Sequence, residues 1–358
     1  IKLKYAGANN TSIGEQNNIL IETALGDIVE NIPAAFLQEN SLPVKVNYIS
    51  LGTNIYGFDV SDYNKSQTLI IDPIPWATYF GGSSNDSGYG IKLDAHGNVV
   101  VCGQTSSSTA IATVGAYQNT FAGNVDAFIA KYNSNGLLQW ATYYGGSASD
   151  LSYSITTDDS LNIIITGSTT STTGIATSGA YQTTPVAGGD AFIAKFDSAG
   201  ALIWSTYYGG TGYERGTGVI TDSRGNIIVT GYTGSTTSIA TLNAYQVAYG
   251  GGTYDAFVVK FNSQGYCLWS TYFGGSLNDL GRGIAVDTFG NIFITGNTCS
   301  ISGIASPGAY QTTYGGGPFD AFIVKFDSTG NRQWATYYGI DQTDVANAIA
   351  IDFLGNVV

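Results

Sequence analysis

At 358 residues the chain is long enough for two domains with sizeable cores. Only 11% of it is charged, Met is absent, and 48 Gly and 25 Tyr favour strands and turns over helices. A net charge of −13 argues against nucleic acid as a partner, and no apolar run reaches the roughly 18 residues of a transmembrane helix.

The chain begins at Ile1 without the charged and apolar blocks of a signal peptide, so an upstream segment is expected. Residues 1–72 read as a small β-rich domain, cut at its start. Its segments IKLKYAG, NILIETALG, VKVNYISLG and IYGFDVSDY are strand-like, and LIIDPIP ends it. Pro73 and Pro75 mark the hand-over, since proline ends pairing on a ladder.

Residues 73–358 obey a different rule. All five tryptophans, Trp76, Trp140, Trp204, Trp269 and Trp334, fall 64 or 65 residues apart. An acid follows each at a fixed distance (Asp86, Asp150, Glu214, Asp279, Asp344), and a second follows that (Asp94, Asp158, Asp222, Asp287, Asp352). AYQ recurs later in the unit, then the aspartate of DAF at Asp126, Asp190, Asp255 and Asp320. The extra residue of the later units falls between AYQ and DAF, in a Gly-rich stretch where a loop absorbs insertions.

Each unit reads as four short strands. The first alternates (GYGIKLD, GRGIAVD); the second is apolar on both faces (NVVVCG, NIIITG); the third is DAFIAKY and its variants; the fourth carries the tryptophan. Turns such as DAHGN and NSNG join strands one to two and three to four, with Asp or Asn bonding its own backbone and Gly supplying positive φ. In DDSLN, Leu161 replaces that Gly, which predicts a strained or altered turn. Tandem four-stranded antiparallel units of this period predict an all-β fold with a β-propeller, four complete blades over about residues 85–340. The strand at Trp76 is expected to complete the last blade and close the ring. The chain stops at Val358 inside a fifth unit, so further blades and attached domains are expected.

The combination W-A/S-T-Y-F/Y-G-G, D-x-x-G-N-I/V, A-Y-Q and D-A-F-I/V-A/V-K-F/Y resembles the bacterial SBBP-type beta-propeller repeat family over about four-fifths of the chain. The leading segment, with ETALGDI and GFDVSDY, looks like the domain that commonly precedes such repeats. The resemblance implies a large secreted or cell-surface protein with further adhesion-like and sorting domains. It names no activity and no catalytic residues.

Of 26 acidic residues, 16 occupy repeat positions, which reads as architecture. Asp86, Asp150 and Asp279 are where a calcium ion would sit, but each loop offers one acid where a calcium loop gathers several, so no cofactor is expected. Cys102, Cys267 and Cys299 show neither metal-site nor disulfide spacing. An active site needs unequal groups in one place. The repeats offer only Asp159 and Asp341 as acids outside the register and His96 as the sole histidine, in a turn; a glycosidase-like pair of Asp341 with Asp344 lacks a distinct second role. The chain is therefore read as not an enzyme.

Connectivity puts the tight turns on one face and the long loops, about residues 105–125, 169–189, 233–254 and 298–319, on the other. Those loops carry Tyr117, Tyr181, Tyr245 and Tyr310 at matching places, either as ligand-binding candidates for a protein or glycan or as packing residues that hold the loop. The expected function is an extracellular or cell-surface scaffold, binding protein or glycan through the long-loop face. A purely structural spacer and a carbohydrate-active enzyme are the alternatives.

Overall fold

A computed structural model describes residues 2–15, 17–23, 26–30, 32–33, 35–38, 42–60, 63–71, 77–352 and 354–358. The chain divides into two compact units, residues 1–77 and 78–358, and the described residues of both contain strands and no helix. Pro73, Pro75 and Trp76 lie outside the described residues.

The first unit holds β1 (Lys2–Lys4), β2 (Asn10–Ile13), β3 (Ile19–Thr23), β4 (Gly26–Glu30), β5 (Ala35–Leu37), β6 (Val46–Gly52), β7 (Ile55–Val60) and β8 (Leu69–Ile71). They pair antiparallel in the orders β1-β7-β6, β2-β3-β4 and β5-β8. Alternation places Ile19 and Ile21 inside, where they meet Tyr48 and Tyr56. Glu30 accepts hydrogen bonds from the hydroxyls of Tyr5 at 2.6 Å and Tyr48 at 3.2 Å, which satisfies both phenols in a half-buried setting.

In the second unit four antiparallel sheets follow in chain order. They are β9 (Asp86–Leu93) to β12 (Leu138–Tyr144), β13 (Asp150–Thr157) to β16 (Leu202–Tyr208), β17 (Glu214–Thr221) to β20 (Cys267–Phe273), and β21 (Asp279–Val286) to β24 (Arg332–Tyr338). The first strands β9, β13, β17 and β21 pack successively on one another, so the sheets fan as propeller blades with strand one innermost. Each first strand carries a β-bulge that leaves Tyr89, Tyr153, Thr217 or Arg282 without a ladder partner.

The strand-three lysines are buried because the turn between strands one and two neutralises them. Lys131, Lys195 and Lys260 reach Asp94, Asp158 and Asp222 at 3.2, 2.9 and 2.9 Å. Each of these aspartates also accepts backbone and side-chain N–H from the Asn four residues on. The turn glycines Gly97, Gly225 and Gly290 have φ of 75°, 74° and 82°, and Leu161 adopts 63°. Leu161 keeps the sister hydrogen bond, its N–H to Asp158 O at 2.9 Å. The turn is thus unaltered in form, and its strain sits in one residue held left-handed.

Blades are locked in sequence by the tryptophans. The indole N–H of Trp140, Trp204 and Trp269 donates to Ser198 O, Ser263 O and Ser328 O in the following blade, at 3.1, 3.0 and 3.2 Å. The glycine two residues on lies against the ring: a Cβ on Gly265 would sit 3.0 Å from Trp204. Tyr144, Tyr208 and Phe273 complete the contact against Phe192, Phe257 and Phe322 of the next blade.

The segment before β9 takes the place of a preceding blade's last strand. Phe80 packs on Phe128 at 5.0 Å, as Tyr144 packs on Phe192, and Gly82 N–H binds Asp86 as Gly146 N–H binds Asp150. Closure of a ring by Trp76 falls outside the described residues. The fifth unit begins a hairpin, with Ala350 and Val358 exchanging backbone bonds around the Asp352 turn.

Candidate functional site

The repeated acids belong to blade junctions. Asp150 is buried and accepts from Thr169 Oγ1, Ser171 Oγ (2.8 Å) and Gly146 N–H (2.8 Å); Asp279 repeats this with Thr298, Ser300 and Gly275. Asp86 does the same with Thr105, Ser107 and Gly82. The Thr-x-Ser partner of these acids was readable in the sequence as an invariant spacing but carried no signal by itself. The aspartates of DAF form a second set: Asp126 accepts from Ala122 and Gly123 N–H and from Gln118 Nε2. AYQ therefore recurs because its glutamine ties the long loop to strand three.

The two sets meet at one glycine per junction. A Cβ on Gly274 would lie 2.7 Å from Asp279 Oδ2 and 2.8 Å from Asp255 Oδ1, so both carboxyls point at the same place from adjacent blades. Burial, with the neighbouring acid adding to it, pushes Asp190 and Asp255 up to about 7 and Asp126 to about 6; burial also pushes Asp279 to about 6. Among the described residues no group of three or more metal-ligating side chains occurs. The carboxylates of Asp86, Asp150 and Asp279 each accept from two hydroxyls and a backbone amide.

The middle of each long loop is tied to its own blade. Each folds back along the outer edge of its own blade, where strand four would otherwise expose its backbone. Thr113 N–H binds Ala141 O and Tyr143 N–H binds Gln118 O; the other three blades repeat the pattern. Tyr117, Tyr181 and Tyr245 are exposed on the rim, with rings 5.8, 5.6 and 5.9 Å from Phe196, Phe261 and Phe326 of the next blade. Tyr310 stacks on Tyr338 and is 84% exposed.

Residues outside the register do not assemble. His96 is exposed in its turn, where its N–H binds Asp94. Asp341 is exposed, while Asp344 turns to Ile340 N–H and faces the Asp320 junction through Gly339. Cys102 is buried, and Cys267 and Cys299 are partly buried free thiols.

What the fold creates instead are clefts at the rim, beneath the tryptophans. At the junction of the third and fourth blades a cleft of about 560 Å³ is lined by Trp269, Thr241, Leu242, Arg224, Phe289 and Ser328. Its equivalent between the first and second blades, about 450 Å³, has Trp140, Thr113, Val114 and Ser198 at the same places. Each is built from a folded-back loop, a tryptophan and the tight turns of the following blade. That juxtaposition is invisible within a single repeat.

Residues 268–300 match the family SBBP, described as a beta-propeller repeat, and residues 1–74 match DUF7948, a domain of unknown function. The "Uncharacterized WD repeat-containing protein L264" of Acanthamoeba polyphaga mimivirus is 25% identical over 393 residues, covering 89% of this chain and 28% of that protein. The "Regulatory protein FlaEY" of Caulobacter vibrioides is 25% identical over 167 residues, 46% of this chain and 17% of that protein. The chain thus spans less than a third of either relative's length. Among solved structures, a protein of unknown function from Bacteroides caccae overlaps 98% of this chain with 97% of its own, at 11% identity and a TM-score of 0.37.

Proposed function

We propose that this SBBP-type beta-propeller repeat chain is a non-enzymatic cell-surface scaffold that binds glycans at its blade junctions, in the clefts beneath the tryptophans. The observation that carries the reading is the recurrence of one cleft, with an indole wall and flanking hydroxyls, at two equivalent junctions. An indole offers a pyranose ring a flat apolar surface, and Thr and Ser hydroxyls serve its hydroxyls. Repetition suits a polymer: several weak sites on one rigid body gain avidity.

A glycan array followed by calorimetry tests this. A positive glycan should bind with more than one site per chain, and Trp269→Ala with Trp140→Ala should remove binding at the two clefts. A purely structural spacer would show no glycan binding by the wild type. Turnover of a bound glycan, abolished by Asp341→Asn, would replace binding by catalysis.

A further inference from the structure

One repeat departs from its sisters at four positions at once, and the departures meet in space. Arg215 is the second residue of β17, where the other blades have Ser87, Leu151 and Leu280. Tyr213 precedes that strand, Tyr232 stands near the end of β18 (Ile227–Thr233) and Tyr254 precedes β19 (Asp255–Phe261). All four lie at the end of the blade from which the blade links and long loops depart. The neighbouring blade adds Tyr153, the residue its bulge frees from the ladder.

The guanidinium carbon of Arg215 lies 3.5 Å above the Tyr153 ring centroid, and Nη1 donates to Tyr232 Oη at 3.2 Å. Tyr232 meets Tyr254 edge-on at 5.0 Å, and Tyr213 approaches both at 6.3 and 6.5 Å. Arg215 Nε is buried with no hydrogen-bond partner, and no carboxylate pairs with this guanidinium among the described residues. A buried donor without an acceptor is costly, so the guanidinium gains from an acceptor met by its remaining nitrogens. Arg282 and Arg332 are also half-buried without a carboxylate, but they donate to Asn297 Oδ1 and Ile304 O, so among the described residues the buried cationic nitrogen without an acceptor is that of Arg215.

We infer that Arg215, Tyr153, Tyr213, Tyr232 and Tyr254 form a binding site for a carboxylate-bearing sugar, a hexuronic acid unit, separate from the rim clefts. The guanidinium fork matches the carboxylate, the tyrosine faces match the apolar face of the pyranose, and the phenol hydroxyls match its ring hydroxyls. A single cation at the site, in a chain of net charge −13, selects a single acid group over a dense polyanion.

Galacturonate trisaccharide and an uncharged trisaccharide are the probes, titrated calorimetrically and by saturation-transfer NMR. The wild-type chain should bind the acidic probe with a dissociation constant on the order of 1 mM or tighter and bind the neutral one at least about tenfold more weakly. Arg215→Gln should abolish the preference, and Trp269→Ala should leave it intact. Tyr232→Phe, which removes only a hydroxyl, weakens acid binding even where Arg215→Gln does not fold. Equal affinity for the two probes, unchanged binding by both site variants, or a preference for a peptide C-terminal carboxylate over the sugar acid overturns the assignment. Loss of acid binding in Trp269→Ala would instead place it in the rim clefts.

Discussion

Lys195 Nζ stands 2.9 Å from Asp158 Oδ2, with both side chains over 90% buried. The lysine is on the central third strand of its blade and the aspartate in the blade's own tight turn, so the pair fastens turn to sheet. Lys195→Met leaves a buried carboxylate alone and should cost about 3–5 kcal/mol, measured by urea unfolding. Adding Asp158→Asn should recover most of the loss, because it removes the orphaned charge. A single mutant as stable as the wild type would show that the pair contributes nothing.

Stability should fall as pH rises from about 4 to about 7. Asp126, Asp190, Asp255 and Asp279 titrate at about 6 to 7 when folded and near 3.8 when unfolded. Between those values the folded chain holds more protons, so raising pH favours unfolding. Asp94, Asp158 and Asp222 act in the opposite sense. Burial pushes them up, but hydrogen bonds from their Asn and Lys partners outweigh it and hold them low, and their contribution is lost as pH drops below about 4. The urea midpoint should therefore peak in the mildly acid range. Asp190→Asn with Asp255→Asn should flatten the decline above it, and a midpoint climbing steadily from about pH 5 to 8 would contradict the assignment.

Leu161→Gly should stabilise the chain. The turn already has the form of its sisters, and the left-handed backbone of a Leu costs about 1–2 kcal/mol, which Gly avoids while losing some unfolded-state entropy. A net gain of about 1 kcal/mol is expected by calorimetry. A loss would mean that the Leu161 side chain makes compensating contacts.

Blade phase, strand order and turn chemistry were legible because they are local. Alternation, Asp-x-x-Gly-Asn and the tryptophan spacing each act within a few residues or repeat identically. The fold-back of the long loops was not, because the partner of Thr113 N–H is Ala141 O, on a strand that the loop must first bypass. Nor was the position of Tyr117, whose ring rests on Phe196 of another blade. The bulge at Tyr153 depends on cross-strand register. Arg215 could have been found by asking which repeat departs from the rest at several positions, since Tyr213, Tyr232 and Tyr254 depart with it.

The tryptophan clasp also gives assembly a direction. Trp140 closes on Ser198, 58 residues further along the chain, and Trp204 and Trp269 repeat the step with Ser263 and Ser328. Each of the first three blades thus offers its indole forward, and each of the last three receives one from behind. A blade that folds first would display the clasp for its successor, like a zip whose slider sits at the newest end. Fraying from that end would bare one indole at a time, whereas a cut midway would bare one at the break and leave the downstream half without its anchor.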